Sequence, residues 1–389
     1  MRKTFKYRLY ANMVTFRKAD EWLELCRYLY NCALEQRIQT YKYNHKFISY
    51  YDQQNELPCI REYMPEYKNI GAQILQCVLR KLDNAYKGFY KRVKNSHDKS
   101  GFPRFKGENR FNSFILTQNS WKINGEYLII SKLGMFKMHL SRPIQGKIKG
   151  ITVKRSTTNK WYACFSCDNV LEKKLPKNNK VIGIDVGIKS YLTDSEGNKE
   201  ENPKFLKNAL RELRIKNRKL SRAKNGSNRR KETKLQVTKC HERITNQRHD
   251  FLHKLSNNYV QSYGIIKVEN LNIKGMSQNR KLARDINDCS WGTFFELLTY
   301  KAEEAGREVI KVKPHNTSKK CNKCGSINHE LKLSDRIWIC GNCGFTHDRD
   351  ENAAINIVNS EVRAEPSVAN VSGYTKRKPK IIEKCGVSA

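Results

Sequence analysis

Four cysteines in the last fifth of the chain constrain its fold more than any other feature. They form two C-x-x-C pairs separated by fifteen residues, with a glycine after the second cysteine of each pair; they are Cys321, Cys324, Cys340 and Cys343. This spacing is typical of a zinc ribbon, in which two backbone knuckles bend around one ion. We therefore predict one structural Zn²⁺, because four thiolates leave no open position for a substrate. The alternative is four free thiols.

A third C-x-x-C, Cys164–Cys167, is predicted to have a different role. It lies in the strand-like stretch "WYACFSC", where residues three apart point to opposite faces, so core cysteines are expected there. The chain has 13 cysteines, an odd number, and its N-terminus "MRKTFKYRLYANM" lacks the apolar region of a secretory signal. We expect a reducing cytosol rather than disulfide bonds.

The charge of the chain predicts a polyanionic partner. Lys and Arg number 75 against 38 Asp and Glu, a formal net charge of +37. Such an excess destabilises a compact state by self-repulsion unless a partner supplies the counter-charge, and nucleic acid does so with release of counterions. An anionic membrane is the alternative, but no apolar run approaches the ~18 residues of a membrane span.

The first half of the chain has the pattern of a small β-domain with helices inserted into it. "KTFKYRLY" (3–10) alternates as a strand does, and further short strands are predicted between residues 113 and 170. Amphipathic helices are predicted from Arg17 to Tyr41 and from about Gly71 to Lys94, with a polar loop between them. The second helix has a basic face, which fits either solvation or nucleic-acid binding.

The loop "GFPRFKGENRFNSF" (101–114) interleaves aromatic residues with basic ones, including Arg104 and Lys106. This mixture suits backbone phosphates and stacked bases. A short loop anchored in the core is the alternative. We name Arg104 and Lys106 as candidate nucleic-acid contacts.

The second half of the chain predicts an α/β domain with a mixed sheet. After the charged linker "LEKKLPKNNK", the apolar run "VIGIDVGI" predicts a strand buried on both faces. "SYLTDSEGNKE" predicts a hairpin, residues 204–260 predict one or two basic helices interrupted near "AKNGSN", and "GIIKVEN" and "EVIKVKP" predict two more strands. A helix ending at Gly306 is predicted between these last two.

Three acids occupy the ends of core elements in this domain. Asp185 lies inside an apolar strand, Glu269 ends another, and Asp350 begins the helix "ENAAINIVNS". Each has a structural alternative: a strand end, a solvated glutamate and a helix N-cap, respectively. Together they can converge at one sheet edge and hold two Mg²⁺ for phosphodiester hydrolysis, because Mg²⁺ prefers oxygen ligands and keeps substrate phosphates in its shell.

The motifs "GIDVGI", "VEN" and "DRDENAA", in that order, resemble the three motifs of a RuvC nuclease domain of the RNase H type. A cysteine ribbon directly before the third motif is similar to that of transposon-encoded TnpB proteins, as are "YRLYANM", "GFPRFKG", "HERITNQRHDFLHKLS" and "NTSKKCNKCG". The resemblance covers most of residues 1–360. The sequence "YANM" departs from the family, which often has a proline there.

The resemblance implies an RNA-guided DNA endonuclease related to compact type V CRISPR effectors. Its partners would be a guide RNA from the transposon end and double-stranded target DNA with a short adjacent motif, with no membrane and no obligate protein partner. The resemblance assigns Asp185, Glu269 and Asp350 to the catalytic, Mg²⁺-binding triad. Gln73 and Gln76 are candidates for base contacts in the adjacent motif, although surface glutamine is the common alternative. The expected location is the prokaryotic cytoplasm, at the nucleoid when bound to DNA.

We therefore predict a multidomain α+β protein with a RuvC/RNase H-like α/β nuclease domain, an inserted zinc ribbon, and an N-terminal β-barrel-like domain with an inserted helical domain. The predicted domains are a wedge-like β-domain (1–12 and 111–172), a helical recognition domain (13–110), the nuclease domain (180–312 and 346–360), the ribbon (313–345) and a loosely ordered tail (361–389). Two alternatives are a compact type V CRISPR effector and a nuclease-independent RNA-guided repressor or transposition regulator. The presence of all three acids argues against the repressor.

Overall fold

The computed structural model describes residues 1–95, 101–117, 120–332 and 334–360. Within these ranges the chain divides into two compact units. The first contains Met1–Pro176, Lys204–Leu255 and Glu304–Gly306; the second contains Lys177–Pro203, Ser256–Glu303 and the described residues from Arg307 onward. The predicted tail, 361–389, lies outside the described residues, and the finer domain boundaries stay predictions.

A seven-stranded antiparallel sheet forms the core of the first unit. Its strands are β1 (Lys3–Tyr10), β2 (Ser113–Leu116), β3 (Trp121–Asn124), β4 (Tyr127–Ile130), β5 (Gly134–His139), β6 (Lys147–Arg155) and β7 (Trp161–Asp168), in the spatial order β2-β6-β7-β1-β5-β4-β3. The predicted N-terminal strand is confirmed and lies at the centre of the sheet. Between the edge strands β2 and β3 no pairing is found among the described residues, so closure into a barrel stays a prediction.

The helices of the first unit confirm the two long helices predicted in the first half of the chain and the basic helices predicted over residues 204–260, and they add two short α-helices. They are α1 (Met13–Asn44), α2 (Tyr50–Asn55), α3 (Leu57–Tyr63), α4 (Ala72–Lys94), α5 (Phe205–Arg222) and α6 (Asn228–Ser262, assigned to this unit up to Leu255), with a 3-10 helix at Pro65–Asn69. The predicted polar loop is wrong where α2 and α3 form, because helices this short show no apolar periodicity. No helix in the described part of the chain has the length and apolar character needed to cross a membrane.

The basic stretch 204–260 forms two helices, α5 and α6, and the break between them falls in the predicted "AKNGSN" segment. Gly226 has a φ of +80° there, a conformation that favours glycine. Within the first unit, α5 packs on α6 through a small apolar cluster that includes Ala209, Leu213, Cys240 and Ile244. The lysines and arginines of both helices therefore lie mainly outside this contact.

A five-stranded mixed sheet forms the core of the second unit, as predicted. Its strands are β8 (Val181–Val186), β9 (Ser190–Asp194), β10 (Lys199–Glu201), β11 (Ile265–Glu269) and β12 (Glu308–Val312), in the order β10-β9-β8-β11-β12. β11 is parallel to both of its neighbours, β8 and β12, and β9 runs antiparallel to β8 and β10. The other elements are α7 (Ile273–Met276), α8 (Ala283–Cys289), α9 (Trp291–Ala305), β13 (Ile337–Ile339), β14 (Thr346–Asp348) and α10 (Arg349–Asn359).

Gly183 allows α10 to lie directly against the central strand β8. A Cβ atom at this position would lie 2.3 Å from the carbonyl oxygen of Ala354 and 2.8 Å from a methyl group of Val358. Real Cβ atoms do not approach backbone so closely, so only glycine permits this spacing. The close approach fixes α10, and the acid in its first turn, relative to β8.

We expect Gly183→Ala to lower the free energy of unfolding by about 1–3 kcal/mol, because overpacking forces the helix away from the sheet. Denaturant titration of the purified protein measures the change. Gly292→Ala is the matched control: its added methyl would meet only a side-chain atom at 3.8 Å, and alanine favours the helix α9. Equal stability of the two variants would contradict the proposed spacing constraint.

Candidate active site and metal centre

Asp185 and Glu269 lie at the same end of two adjacent parallel strands. β8 and β11 pair with Val268 opposite Ile184, and the next residues along the two strands are Glu269 and Asp185. The carboxyl ends of parallel strands form the edge of an open α/β sheet at which ligands commonly bind. The structure thus brings together two of the three acids selected from the sequence.

Asp350 approaches the same edge from the first turn of α10. The N-cap of this helix is Asp348, whose Oδ1 accepts hydrogen bonds from the backbone N–H groups of Asp350 and Glu351, both at 3.1 Å. The alternative in which Asp350 itself caps the helix is therefore wrong. Asp348 has a structural role that sequence reasoning missed, which leaves the Asp350 carboxylate available for another one.

Burial and neighbouring charges shift the pKa values of two of the acids, Asp185 and Glu269. Burial, followed by the negative charges of Glu269 and Asp350, raises the pKa of Asp185 well above its ordinary value, although the cation of Arg349 opposes this. Burial also raises the pKa of Glu269, against a hydrogen bond from Thr317 that lowers it. Raised pKa values in a cluster of like charges indicate a site at which a cation or a proton is favoured.

Two residues that sequence reasoning missed, Arg336 and Thr317, donate hydrogen bonds to two of the three acids. Nη1 of Arg336 donates to both carboxylate oxygens of Asp350, at 3.0 and 3.1 Å. The hydroxyl of Thr317 donates a short hydrogen bond to Oε1 of Glu269. Only one signal pointed to either residue: Thr317 belongs to the stretch "NTSKKCNKCG", which carried part of the family resemblance.

The donor set of the acids fits Mg²⁺ by its chemistry. Carboxylate oxygens are the ligands Mg²⁺ prefers, and a divalent cation would offset the charges of Glu269 and Asp350 that, after burial, raise the pKa of Asp185. Within the described residues, the three carboxylates do not all approach one another within 4.8 Å, whereas the four ribbon cysteines do. In this arrangement Asp350 is hydrogen-bonded to Arg336 and Glu269 is hydrogen-bonded to Thr317, so these two carboxylates have different partners.

The four cysteines converge as the spacing predicts. Their Sγ atoms all lie within 4.8 Å of one another, with Cys321 and Cys343 separated by 3.7 Å and Cys324 and Cys340 by 3.6 Å. A tetrahedral site with Zn–S distances of about 2.3 Å requires sulfur separations of about 3.8 Å, so the geometry fits one zinc ion. Gly325 and Gly344 have φ values of +80° and +70°, which explains the glycine after each pair.

Hydrogen bonds and neighbouring thiols shift the pKa values of Cys324 and Cys343 in opposite directions. A hydrogen bond with the Ser326 hydroxyl is the largest effect that lowers the pKa of Cys324, to about 5, which favours the thiolate that zinc binds. A backbone N–H at Phe345 lowers the pKa of Cys343, but burial and the neighbouring thiols outweigh it and raise that pKa to about 12. Ionisation of Cys343 beside the neighbouring thiols is therefore unfavourable unless a cation is bound.

The ribbon continues directly into the helix that carries Asp350. β13 pairs with β14, placing Trp338 opposite His347 and Ile337 opposite Asp348, and α10 begins at the next residue. His347 is buried, and its Nε2 lies 3.0 Å from Sγ of Cys321. The backbone N–H of Arg349 also donates to the carbonyl of Arg336, at 2.7 Å. The position of Asp350 thus depends on the ribbon hairpin.

The two candidate glutamines lie in the first turns of α4. Gln73 is exposed, and its Oε1 accepts a hydrogen bond from the hydroxyl of Thr117. Gln76 is half-buried and lines a groove with residues of α2 and α3, including Leu57 and Arg61. Both are placed where a ligand could reach them, and their contact with DNA stays a prediction.

Arg104 and Lys106 lie in the loop after α4. Arg104 is exposed, whereas the backbone of Lys106 is tied to α1: its N–H donates to Asn31 at 2.8 Å, and its carbonyl accepts from Asn31 and Arg27. The anchored-loop alternative therefore applies to the backbone of Lys106. Nucleic-acid binding by either side chain stays a prediction.

Three family models match the chain. The model described as "Probable transposase" (OrfB_IS605) matches residues 157–280, and the related model described as "Helix-turn-helix domain" matches residues 1–46. In this structure residues 1–46 form the strand β1 and one long helix, α1. The model described as "Cas12f1-like, TNB domain" matches residues 291–357, which include the four cysteines and Asp350.

Two relatives align with nearly the whole chain. A protein of Streptomyces pristinaespiralis named "Putative RNA-guided DNA endonuclease" is 30% identical over 366 residues, which cover 92% of this chain and 89% of the relative. The Escherichia coli K12 protein named "Putative RNA-guided DNA endonuclease InsQ" is 28% identical over 360 residues, with 86% of each covered. The chain is therefore similar in length as well as in sequence to these proteins.

Among solved structures, the chain resembles one titled "Structure of the mini-RNA-guided endonuclease CRISPR-Cas_phi3". The TM-score is 0.51, the sequence identity is 10%, and 92% of each chain is covered. At this identity the similarity concerns the fold alone.

Proposed function

The chain belongs to the TnpB family, and we propose on this premise that it is an RNA-guided endonuclease of double-stranded DNA. The observation that carries the catalytic part is the placement of Asp185, Glu269 and Asp350 near one edge of the mixed sheet, where burial and then the charges of Glu269 and Asp350 raise the pKa of Asp185. The order β10-β9-β8-β11-β12, with these acids on β8, on β11 and on the helix packed against β8, supports a RuvC/RNase H-like nuclease domain.

In this proposal the three acids hold one or two Mg²⁺ ions, and the four cysteines hold one structural Zn²⁺. Bound Mg²⁺ supplies charge neutralisation at the scissile phosphate and a water activated for attack. Asp185 and Glu269 are held by adjacent strands and Asp350 by a helix fixed at Gly183, so the backbone elements that carry the three acids are positioned before substrate arrives. Arg336, which is partly exposed, can neutralise Asp350 until a cation replaces it.

Guide and target would be bound mainly through the basic surface. The helices α4, α5 and α6 present many lysines and arginines, and neutralisation of phosphates by such side chains drives binding whatever the base sequence. Sequence would be read by pairing between a guide RNA from the transposon end and one DNA strand. Gln73, Gln76, Arg104 and Lys106 are the residues we propose for contacts with nucleic acid. The proposed place of action is the nucleoid of a prokaryotic cell.

The match to a Cas12f1-like domain keeps a compact CRISPR effector as the second candidate. Both candidates share the chemistry of the acids and differ in the origin of the guide. Sequencing the RNA that co-purifies with the protein separates them, since a transposon end and a repeat array give different transcripts.

The nuclease proposal is tested with the protein purified together with its RNA. We expect a plasmid that carries a guide-matched target to be cut in the presence of Mg²⁺ and to remain intact with chelator or with a mismatched guide. Guide-dependent binding of the plasmid without cleavage would instead support the repressor alternative.

We expect the Mg²⁺ requirement for cleavage to rise as the pH is lowered. The raised pKa of Asp185 lets a proton compete with the cation at pH values where an ordinary carboxyl group is already ionised. Lowering the pH through this raised pKa protonates Asp185, so more Mg²⁺ is needed to displace the proton. Mg²⁺ titrations of cleavage at a series of pH values measure this shift, with DNA binding at each pH as the control. A requirement independent of pH contradicts the assignment.

A further inference from the structure

Thr317 is the side chain that contacts the Glu269 carboxylate. It lies between the end of β12 and the first zinc knuckle, it is half-buried, and its hydroxyl donates to Oε1 of Glu269. One carboxylate oxygen is thereby held, which leaves Oε2 for another partner. A metal-binding carboxylate is commonly oriented by such an outer hydrogen bond.

Two buried asparagines of α10 hold the backbone around Thr317. Nδ2 of Asn356 donates to the carbonyl oxygens of Thr317, at 2.8 Å, and Lys320, at 2.6 Å. Nδ2 of Asn352 also donates to Lys320, at 2.8 Å, and its Oδ1 accepts from the backbone N–H of Asn322, at 3.0 Å. The segment is therefore bonded to the helix that carries Asp350.

These bonds form a polar bridge between two of the acids. It runs from Glu269 through Thr317 and Asn356 to α10, whose first turn contains Asp350, and it does not pass through the sheet. A loop without side-chain hydrogen bonds would be enough to connect β12 to the first zinc knuckle. The side-chain N–H groups of both buried asparagines, at 1% and 8% exposure, instead donate to carbonyl oxygens of this short segment, which indicates that its placement matters.

We propose that Thr317 is a positioning residue that orients the Glu269 carboxylate for the divalent cation, and that Asn356 holds Thr317 in place. The inference rests on the proposed nuclease function, because it assigns Thr317 to the same acidic site. It adds a third contact between the metal ribbon and the catalytic acids, beside the Arg336–Asp350 pair and the β13–β14 hairpin.

The test compares Thr317→Val, which keeps the shape and removes the hydroxyl, with Thr317→Ser, which keeps the hydroxyl. Thr299→Val is the matched control, since that half-buried hydroxyl donates only to a carbonyl of its own helix, α9. Each zinc-loaded protein–RNA complex is assayed for Mg²⁺-dependent cleavage. It is also treated with Fe²⁺ and peroxide, because Fe²⁺ bound in place of Mg²⁺ cuts the polypeptide next to its ligands.

We expect Thr317→Val to raise the half-saturating Mg²⁺ concentration by about 10- to 100-fold, the usual effect of losing an outer-shell partner. Fe²⁺-directed cutting near Asp185 and Glu269 should weaken in parallel, whereas DNA binding and zinc content stay at the wild-type level. Thr317→Ser and Thr299→Val should behave as wild type. Asn356→Ala should reproduce the Mg²⁺ shift of Thr317→Val; if it does not, the supporting role of Asn356 is wrong.

Failure of this inference can be told from failure of the nuclease proposal. If the wild-type complex does not cut DNA, the Fe²⁺ reaction still reports whether the cation binding at the acids depends on the Thr317 hydroxyl. Wild-type Mg²⁺ dependence and wild-type Fe²⁺ cutting in Thr317→Val overturn the positioning role. Absence of Fe²⁺ cutting near the acids in the wild-type protein overturns it as well, since no cation then depends on Glu269.

Discussion

Asp185→Ala is expected to abolish cleavage of a guide-matched target while leaving guide RNA and DNA binding largely intact. The carboxylate lies where β8 meets β11 and its charge is coupled to Glu269 and Asp350, so its loss removes a ligand common to the proposed cation site. Metal-ion stabilisation of the transition state is worth several kcal/mol, and a loss of ~4 kcal/mol corresponds to about a thousandfold in rate. Plasmid cleavage in Mg²⁺ measures the effect.

The variant Asp185→Asn distinguishes the loss of a metal-binding carboxylate from a loss of folding stability. Because the folded-state pKa of Asp185 is raised, its protonation stabilises the metal-free fold at low pH, and that stabilisation is lost as pH rises through the raised pKa. The uncharged amide of the Asn variant avoids the free-energy cost of burying an ionised carboxylate at neutral pH. In the absence of Mg²⁺ we therefore expect its thermal stability to equal or exceed that of the wild type. Asp250→Asn, at an exposed ion pair of α6, should cleave normally. Cleavage that persists in Asp185→Ala would sink the nuclease assignment as stated.

Cys340→Ser is expected to remove the bound zinc and to lower cleavage by about 10- to 100-fold, as the loss of a supporting shell around metal ligands does. A zinc ion on the four cysteines would hold the two knuckles together, and binding of structural zinc contributes directly to folding. The hairpin it stabilises supplies Arg336 to Asp350 and leads into the Asp348 cap of α10. Zinc content by metal analysis and plasmid cleavage are measured on the same preparation.

Cys32→Ser is the matched control for this change. Cys32 is exposed on α1, in the first unit, and takes no part in the cluster, so its variant should keep zinc and activity. Full cleavage by Cys340→Ser without detectable zinc would show that Asp350 does not depend on the ribbon. Loss of guide RNA binding together with cleavage would point to general unfolding of the protein instead.

Much of the second unit could be predicted because its sequence signals are local and strong. A continuous apolar run such as "VIGIDVGI" predicts a buried strand, and the glycine after each C-x-x-C predicts a bend that only a positive φ satisfies. In the first unit, the break between α5 and α6 is equally predictable from its turn residues. The short helices α2 and α3 were missed because six or seven residues cannot display a helical period.

The sequence by itself determined the spacing of the four ribbon cysteines, the strands that carry two of the acids, the excess of positive charge and, through its motifs, the family. Only the tertiary structure decided which acid caps α10, and that Arg336 and Thr317 contact Asp350 and Glu269. The physical reason is the separation along the chain of the residues that interact. Periodicity, capping and knuckle bends are set by neighbours a few residues apart, whereas Thr317 and Glu269 are 48 residues apart and meet only after β11, β12 and α10 have packed.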